Sequence, residues 1–344
     1  LSDSEAKTFK SAFNLKPEGN FEDEATKQLT GKNIPHLTEP LTEGDHKDFK
    51  SIRTKLLAER GNRTSPLLDD KILTDWNALM IAAFAKAGSV FGEEEFITKA
   101  ETAFRFIEEN LFNNGSLYHR YKDGEYKINA FADDYAFLIW ASIELYEATL
   151  DVNYLKKAVL FSEQFIEKFW DKNDGAFYFT DTNTEELLGR QKQIYDGAVP
   201  SSNSVAIISL IRLSRITGRT DFEGYANSIG EYFSSDLIRS GSSITHGLQA
   251  VQYVNNSPKE IVIVDNTSPG KEILSSINTV FSPFKVCLFK NSELNDINKL
   301  ADYTEKMERI NNGITFYFCS NHICENPTNN LSQIQNLLKP NSLV

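Results

Sequence analysis

Two kinds of helical segment alternate through the middle of the chain. One kind is apolar or small around most of its circumference: residues 78–88 (ALMIAAFAKAG), 136–148 (AFLIWASIELYEA) and 205–218 (VAIISLIRLSRITG). The other carries a narrower apolar stripe with charges opposite: residues 96–111 (FITKAETAFRFIEENL), 154–169 (YLKKAVLFSEQFIEKF) and 222–237 (FEGYANSIGEYFSSDL). A helix apolar all round is buried on both sides, and a striped one keeps a wet face. Alternation of the two predicts helical hairpins with an inner and an outer layer, as in an α/α toroid. A right-handed solenoid of helical pairs fits the same pattern, since periodicity does not show ring closure. A shared turn marks the repeat: Gly115-Ser116-Leu117-Tyr118 recurs as Gly175-Ala176-Phe177-Tyr178, and a fixed period of this kind signals stacked supersecondary units.

The flanks read differently. Ser2 to Phe13 has helical spacing, Lys16 to Leu41 is broken by Pro17, Gly19, Gly31, Pro35 and Pro40, and Asp45 to Arg60 is helical again with Phe49, Ile52, Leu56 and Leu57 on one face. In the tail, residues 260–265, 285–289 and 314–318 read as buried strands, with helices over 270–280 and 331–338. Strands separated by helices predict a small α/β segment with parallel pairing. The predicted fold is therefore mainly α, divided into a helix and extended arm (1–42), a partial six-hairpin α/α-toroid region (43–256) and a small α/β domain (257–344).

Composition narrows the partners. With 36 Lys and Arg against 48 Asp and Glu, the net charge is −12, a field that disfavours nucleic acid and anionic membrane surfaces. No apolar run approaches the length of a membrane span, and no signal-peptide pattern opens the chain. Three cysteines make no disulfide framework, so a reducing, cytoplasmic setting is expected and Cys287, Cys319 and Cys324 read as small buried hydrophobes. Cys319 and Cys324 flank His322, but that spacing is not a zinc pattern. The segment Thr267 to Glu272 sits between strand and helix as a phosphate loop would, yet lacks the glycine spacing. These residues require no metal and no cofactor.

In every repeat a polar cluster falls just before or at the start of the inner helix: Asp69, Asp70, Lys71, Asp75, Trp76 and Asn77; then Asp133, Asp134 and Tyr135; then Asp196, Ser201, Ser202 and Asn203. Such residues are ordinary helix N-caps. If the inner helices run parallel, however, the clusters converge on one mouth, where carboxylates serve acid–base chemistry and aromatic rings offer platforms for sugar faces. Asp133, Asp134 and His119 are the candidate catalytic residues. Asp70, Asp75, Trp76, Asn77, Tyr135, Asp196, Ser202 and Asn203 are the candidate substrate-binding ones, with Trp76 and Tyr135 as apolar walls.

The stretches 67–83 (LLDDKILTDWNALMIAA), 130–138 (AFADDYAFL) and 196–206 (DGAVPSSNSVA), with Glu18 to Glu22, Gly31 to Asn33 and the tail from Glu260 to Cys324, resemble the signature regions of the YyaL-type proteins, relatives of the spermatogenesis-associated thioredoxin-like protein. The resemblance implies a toroid like those of N-acylglucosamine 2-epimerases and six-hairpin glycosidases, preceded in complete members by a thioredoxin-like domain. On that resemblance this chain, which begins at Leu1, is a fragment or processed product, and the missing upstream toroid helices and thioredoxin-like segment are expected partners. Two functions follow: an epimerase- or glycosidase-like region acting on a small sugar, or a non-catalytic module that serves the thioredoxin-like domain.

Overall fold

The structure is a computed structural model and describes residues 1–182, 189–256, 258–294, 296–320 and 323–339. It divides into two compact units, Leu1–Asp70 and Lys71–Val344. The sequence places its boundaries after 42 and after 256, whereas the compact units part after Asp70.

In the first unit, α1 (Asp3–Ala12) and α2 (Glu43–Gly61) both open with a capping box, Ser2 with Glu5 and Thr42 with Asp45. Each box satisfies donors that a helix start leaves unpaired. The intervening arm is organised by asparagine. Asn20 Nδ2 donates to the carbonyls of Asn14 and Ile34, and its Oδ1 accepts from Ile34 N. Gly19 holds φ at +87° where an added Cβ would lie 2.6 Å from the Lys32 carbonyl oxygen, so this crossing accepts no side chain.

The second unit is mainly α. After a short β1 (Ile72–Leu73) come α3 (Thr74–Phe91) and α4 (Glu94–Asn110), then a β-hairpin, then α5 (Ala132–Thr149) with α6 (Val152–Phe169) and α7 (Ser202–Thr217) with α8 (Thr220–Tyr232). Left-handed residues Gly92, Leu150 and Gly218 end α3, α5 and α7. That conformation stops a helix abruptly and lets the chain double back. The expected single helix over 221–237 is instead α8 followed by α9 (Ser234–Arg239), because the path breaks at Phe233. A further helix, α10 (Thr245–Asn255), has no counterpart in the sequence reading.

The apolar helices form the inner layer, α3 against α5, α5 against α7 and α7 against α10, while α4, α6 and α8 pack outside their partners. This is an arc of the α/α-toroid kind. Its core is dense between α5 and α6, where Phe161, Phe165, Phe169 and Phe177 are fully buried, each stabilising by roughly 1.5–3 kcal/mol.

The hairpin between α4 and α5 pairs β2 (Phe112–Asn113) with β3 (Ser116–Lys122), and β3 with β4 (Glu125–Asn129). Its tip is Asp123-Gly124, both at positive φ, the turn that matches strand twist. At the chain's end, β5 (Lys259–Asp265), α11 (Lys271–Asn278) and β6 (Lys285–Asn291) make a parallel crossover unit. The expectation of all-parallel pairing fails at β7 (Thr315–Ser320), which runs antiparallel to β5 and is followed by β8 (Ile323–Cys324) and α12 (Leu331–Leu338). Between β6 and β7 the described residues hold short 3₁₀ turns and no α-helix, the element that a parallel return normally uses.

The cysteine reading also needs correction. Antiparallel register puts Cys319 opposite Cys324, and the two form a disulfide at the sheet edge, a pairing at odds with the reducing setting expected from composition. Cys287 is buried on β6, with its thiol pushed up to about 12 by burial. His322 lies outside the described residues.

Candidate active site

The starts of α3, α5, α7 and α10 are tied together by carboxylates that reach from one element to the next. Asp134, in the first turn of α5 and 1% exposed, accepts from Asp75 N at the start of α3 (3.0 Å), from Phe131 N (2.8 Å), and faces His119 Nδ1 at 3.0 and 3.1 Å. Asp133 reaches the other way and accepts from Ser202 N at the start of α7 (3.2 Å). Asp196 accepts from Ser201 N, His246 N and Gly247 N (2.8, 2.8 and 3.1 Å), capping α10 from outside that helix. Unpaired N–H groups at a helix start favour such anions. The inner helices are therefore parallel, and their N-termini share one mouth.

His119 arrives on β3, which is anchored by Thr74 Oγ1 donating to the Tyr118 carbonyl (2.6 Å) and by pairing of Leu73 with Arg120. The imidazole packs edge-on against Phe131 at 5.2 Å. Its pKa is raised, mainly by the Asp134 hydrogen bond. Burial pushes the Asp134 carboxyl up and His119 opposes the rise. Burial and the Asp134 charge raise Asp75. Burial, with Asp134 and Asp75 adding to it, pushes Asp133 up to about 6 against the pull of Ser202. The mouth thus holds a nearly saturated carboxylate–imidazole pair beside a half-buried acid that holds its proton up to about pH 6.

The predicted site residues divide three ways. Asp75, His119, Asp133, Asp134 and Ser202 meet at the mouth, with Trp76 beside them on α3 and 62% exposed. Asn77 is half-buried and spends its amide on the Leu73 carbonyl (2.8 Å), and Asp196 spends both oxygens on backbone. Asn203 is buried; its amide bonds both backbone groups of Phe177 and the Gln193 carbonyl, pinning the second repeat turn to α7. Tyr135 is no wall of the mouth. It is 1% exposed, packs on Phe165 and Phe169, and takes a hydrogen bond from Lys168 on α6, because its position in the first turn points to the outer layer. Asp70 is exposed and closes the first unit.

Asp75, His119 and Asp134 each offer a ligand atom within 4.8 Å of the others. Asp134 already accepts three donors, and His119 presents Nδ1 to it, so hydrogen bonding accounts for the cluster without a cation.

Sequence reasoning missed a second polar group on the same inner helices, about three turns further on. Arg212 of α7 donates to Glu144 Oε1 (2.5 Å) and Glu147 Oε2 (2.8 Å) of α5, and Lys86 of α3 approaches Glu144 at 3.4 Å. Against the cost of burial, Arg212 and Lys86 hold the Glu144 carboxyl down at about 2. The signal was available: charges set in otherwise apolar helices.

Residues 34–270 match the family model described as Glycosyl hydrolase family 9. The chain is 27% identical over 298 residues to Spermatogenesis-associated protein 20 of Rattus norvegicus, covering 83% of this chain and 38% of that protein, so it spans well under half the length of that relative. Among solved structures, a cellobiose 2-epimerase from Bacillus thermoamylovorans is similar at 17% identity and TM-score 0.41, covering 47% of this chain and 44% of that one. A GH76 α-mannanase from Bacteroides thetaiotaomicron is similar at 16% identity and TM-score 0.45, covering 60% and 62%. No described helix is long and apolar enough to cross a membrane.

Proposed function

The chain belongs to glycosyl hydrolase family 9, and from that premise we propose that the mouth of the inner helices acts on a carbohydrate, cleaving a glycosidic bond with Asp133 as general acid. The observation that carries this reading is the contrast between two adjacent carboxyls. Asp134 is saturated by His119 and two backbone N–H groups, while Asp133 is held by Ser202, through its N–H and its hydroxyl, and keeps its proton up to about 6. A glycosidic acid must be protonated at working pH and within reach of the leaving oxygen. In this scheme Asp133 gives its proton to that oxygen, water adds to the anomeric carbon, and Asp75 takes the water's proton. The His119–Asp134 pair positions the acid turn, and Trp76 offers its exposed ring to a sugar face. A cytoplasmic setting, upstream toroid hairpins and a thioredoxin-like segment are part of the same proposal.

The test is a thermal-shift screen of the 344-residue chain with α- and β-linked oligosaccharides. Ligand at about 100 times its Kd should add roughly 2.7 kcal/mol of stability, and Asp133→Asn should remove the shift or leave a bound, uncleaved ligand. No shift with any oligosaccharide would sink the reading.

A second reading is a non-catalytic binding module. It is favoured by one observation: Asp133, Asp134 and Asp196 all hold helix-start N–H groups. Such a module would bind its ligand with unchanged affinity in Asp133→Asn and show no turnover even in the wild type.

A further inference from the structure

About three turns below the mouth, the inner helices face a half-open cavity of about 670 Å³. It is lined by α3, α5, α7 and α10 and by residues 278–285, from the end of α11 to the start of β6. That volume is the size of a small-molecule site. The wall made by 278–285 is tied to the inner layer, since Asn278 Nδ2 donates to Ser89 Oγ on α3 (2.6 Å).

Its charges do not balance. Among the described residues, Lys86, Arg212 and Lys285 line the cavity against Glu144 and Glu147. Arg212 takes up both carboxylates, donating to Glu144 Oε1 and Glu147 Oε2. Lys86 keeps one longer contact with Glu144 (3.4 Å). Lys285 Nζ donates to the Ile277 carbonyl (3.0 Å) and pairs with no carboxylate among the described residues. Burial lowers its pKa, with Glu147 opposing the fall and Lys86 adding to it, the direction expected of a cation short of a counter-ion. His246 adds no charge at neutral pH, because burial lowers its pKa as well. The chain as a whole carries −12, so one surplus cation in a cleft is a local feature, and a half-buried charge favours an anion beside it.

The cavity also offers a hydroxyl. Ser209 of α7 lines it, is 2% exposed, and has no hydrogen-bond partner for its side chain among the described residues. Buried polar groups are ordinarily paired. Apolar walls complete the lining, with Trp140, Val205 and Ile208 on the inner helices and Val280 and Phe284 opposite. Trp140 is fixed by its indole N–H on Glu144 (3.2 Å).

We propose that this cavity binds a small organic monocarboxylate with an apolar body. The carboxylate pairs with Lys86 and Lys285 and accepts from Ser209 Oγ, and the body lies against Trp140 and Phe284. One negative charge matches the single surplus cation, whereas a doubly charged phosphate would leave a charge uncompensated. No group of the mouth takes part, so the inference is independent of the glycosidase reading.

The experiment is isothermal titration calorimetry of the full chain with 4-phenylbutyrate, its neutral amide and phenyl phosphate as probes, repeated on Ser209→Ala, Lys86→Met and Lys285→Met. The acid should bind about 10-fold or more tightly than either the amide or phenyl phosphate. Each lysine variant should weaken the acid by about 10-fold or more, and Ser209→Ala by about 3- to 10-fold with its melting temperature kept. Lys86→Met carries the test if Lys285→Met fails to fold, because the Lys86 side chain is 58% exposed and an exposed pair contributes little to stability. No binding of the acid, equal binding of acid and amide, or an affinity unmoved by both Lys86→Met and Ser209→Ala would overturn the proposal. Tighter binding of phenyl phosphate would overturn the choice of a monocarboxylate.

Discussion

Asp133 and Asp134 are neighbours in the chain with opposite roles. Asp134 is buried among three donors, so Asp134→Ala strands all three and should destabilise by about 3 kcal/mol or more, measured by urea denaturation. Asp133 works the other way. Its folded pKa, about 6, lies above the ordinary 3.8, so its contribution to stability is fully present below about pH 3.8 and is lost as pH rises through 6. A rise of that size is worth about 2–3 kcal/mol. Asp133→Asn should therefore flatten the stability profile between pH 4 and 6 and raise stability at pH 8 by about 1–3 kcal/mol. Unchanged profiles would mean that Asp133 is ionised throughout. The adjacent acids were legible in the sequence as a candidate catalytic pair. Their division of roles was not, since Ser202 lies 69 positions away and only folding brings its N–H to Asp133. Tyr135 was misread for a related reason: its sequence position marks the helix start, not the face that it occupies.

Among elements, the hairpins and their inner and outer roles followed directly from the width of each apolar stripe. The β3–β4 hairpin that delivers His119 was missed although Asp123-Gly124 between alternating residues is its ordinary signature. The α10 helix was missed because its start is capped in trans by Asp196, some fifty residues upstream, and not by a local Ser, Thr or Asp. Asp196→Ala should accordingly cost about 1–3 kcal/mol. Its hydrogen-exchange protection should fall across 245–255 while 132–149 stays protected. Uniform loss, or none, would show that α10 is held by packing alone. Close approach also matters here: a Cβ on Gly247 would lie 2.6 Å from Ile244 Cγ2 and 3.2 Å from Ser204 Oγ, so α10 meets α7 nearly backbone to side chain.

For the whole molecule, the consequence of parallel inner helices is that equivalent depths face one another. N-termini assemble the mouth, and turns further along assemble the cavity and the Arg212–Glu144–Glu147 group. Removing the shared cation leaves Glu144 with Lys86 as its remaining cation and strips Arg212 from the buried Glu147, so Arg212→Met should destabilise by about 3–5 kcal/mol, read from denaturant midpoints at constant slope. The arc and the tail's α/β character were legible because both rest on repeated local patterns. The cavity was not, as its walls come from five segments spread from Lys86 to Lys285. The central claim is that the mouth cleaves a glycosidic bond with Asp133 as the acid. Its most direct test is the pH dependence of reducing-end release from oligosaccharides by the wild type and by Asp133→Asn. Turnover should fall as pH rises through about 6 and drop at least 100-fold in the variant, with the variant still folded. Turnover equal in both proteins, or with no limb near pH 6, would contradict it.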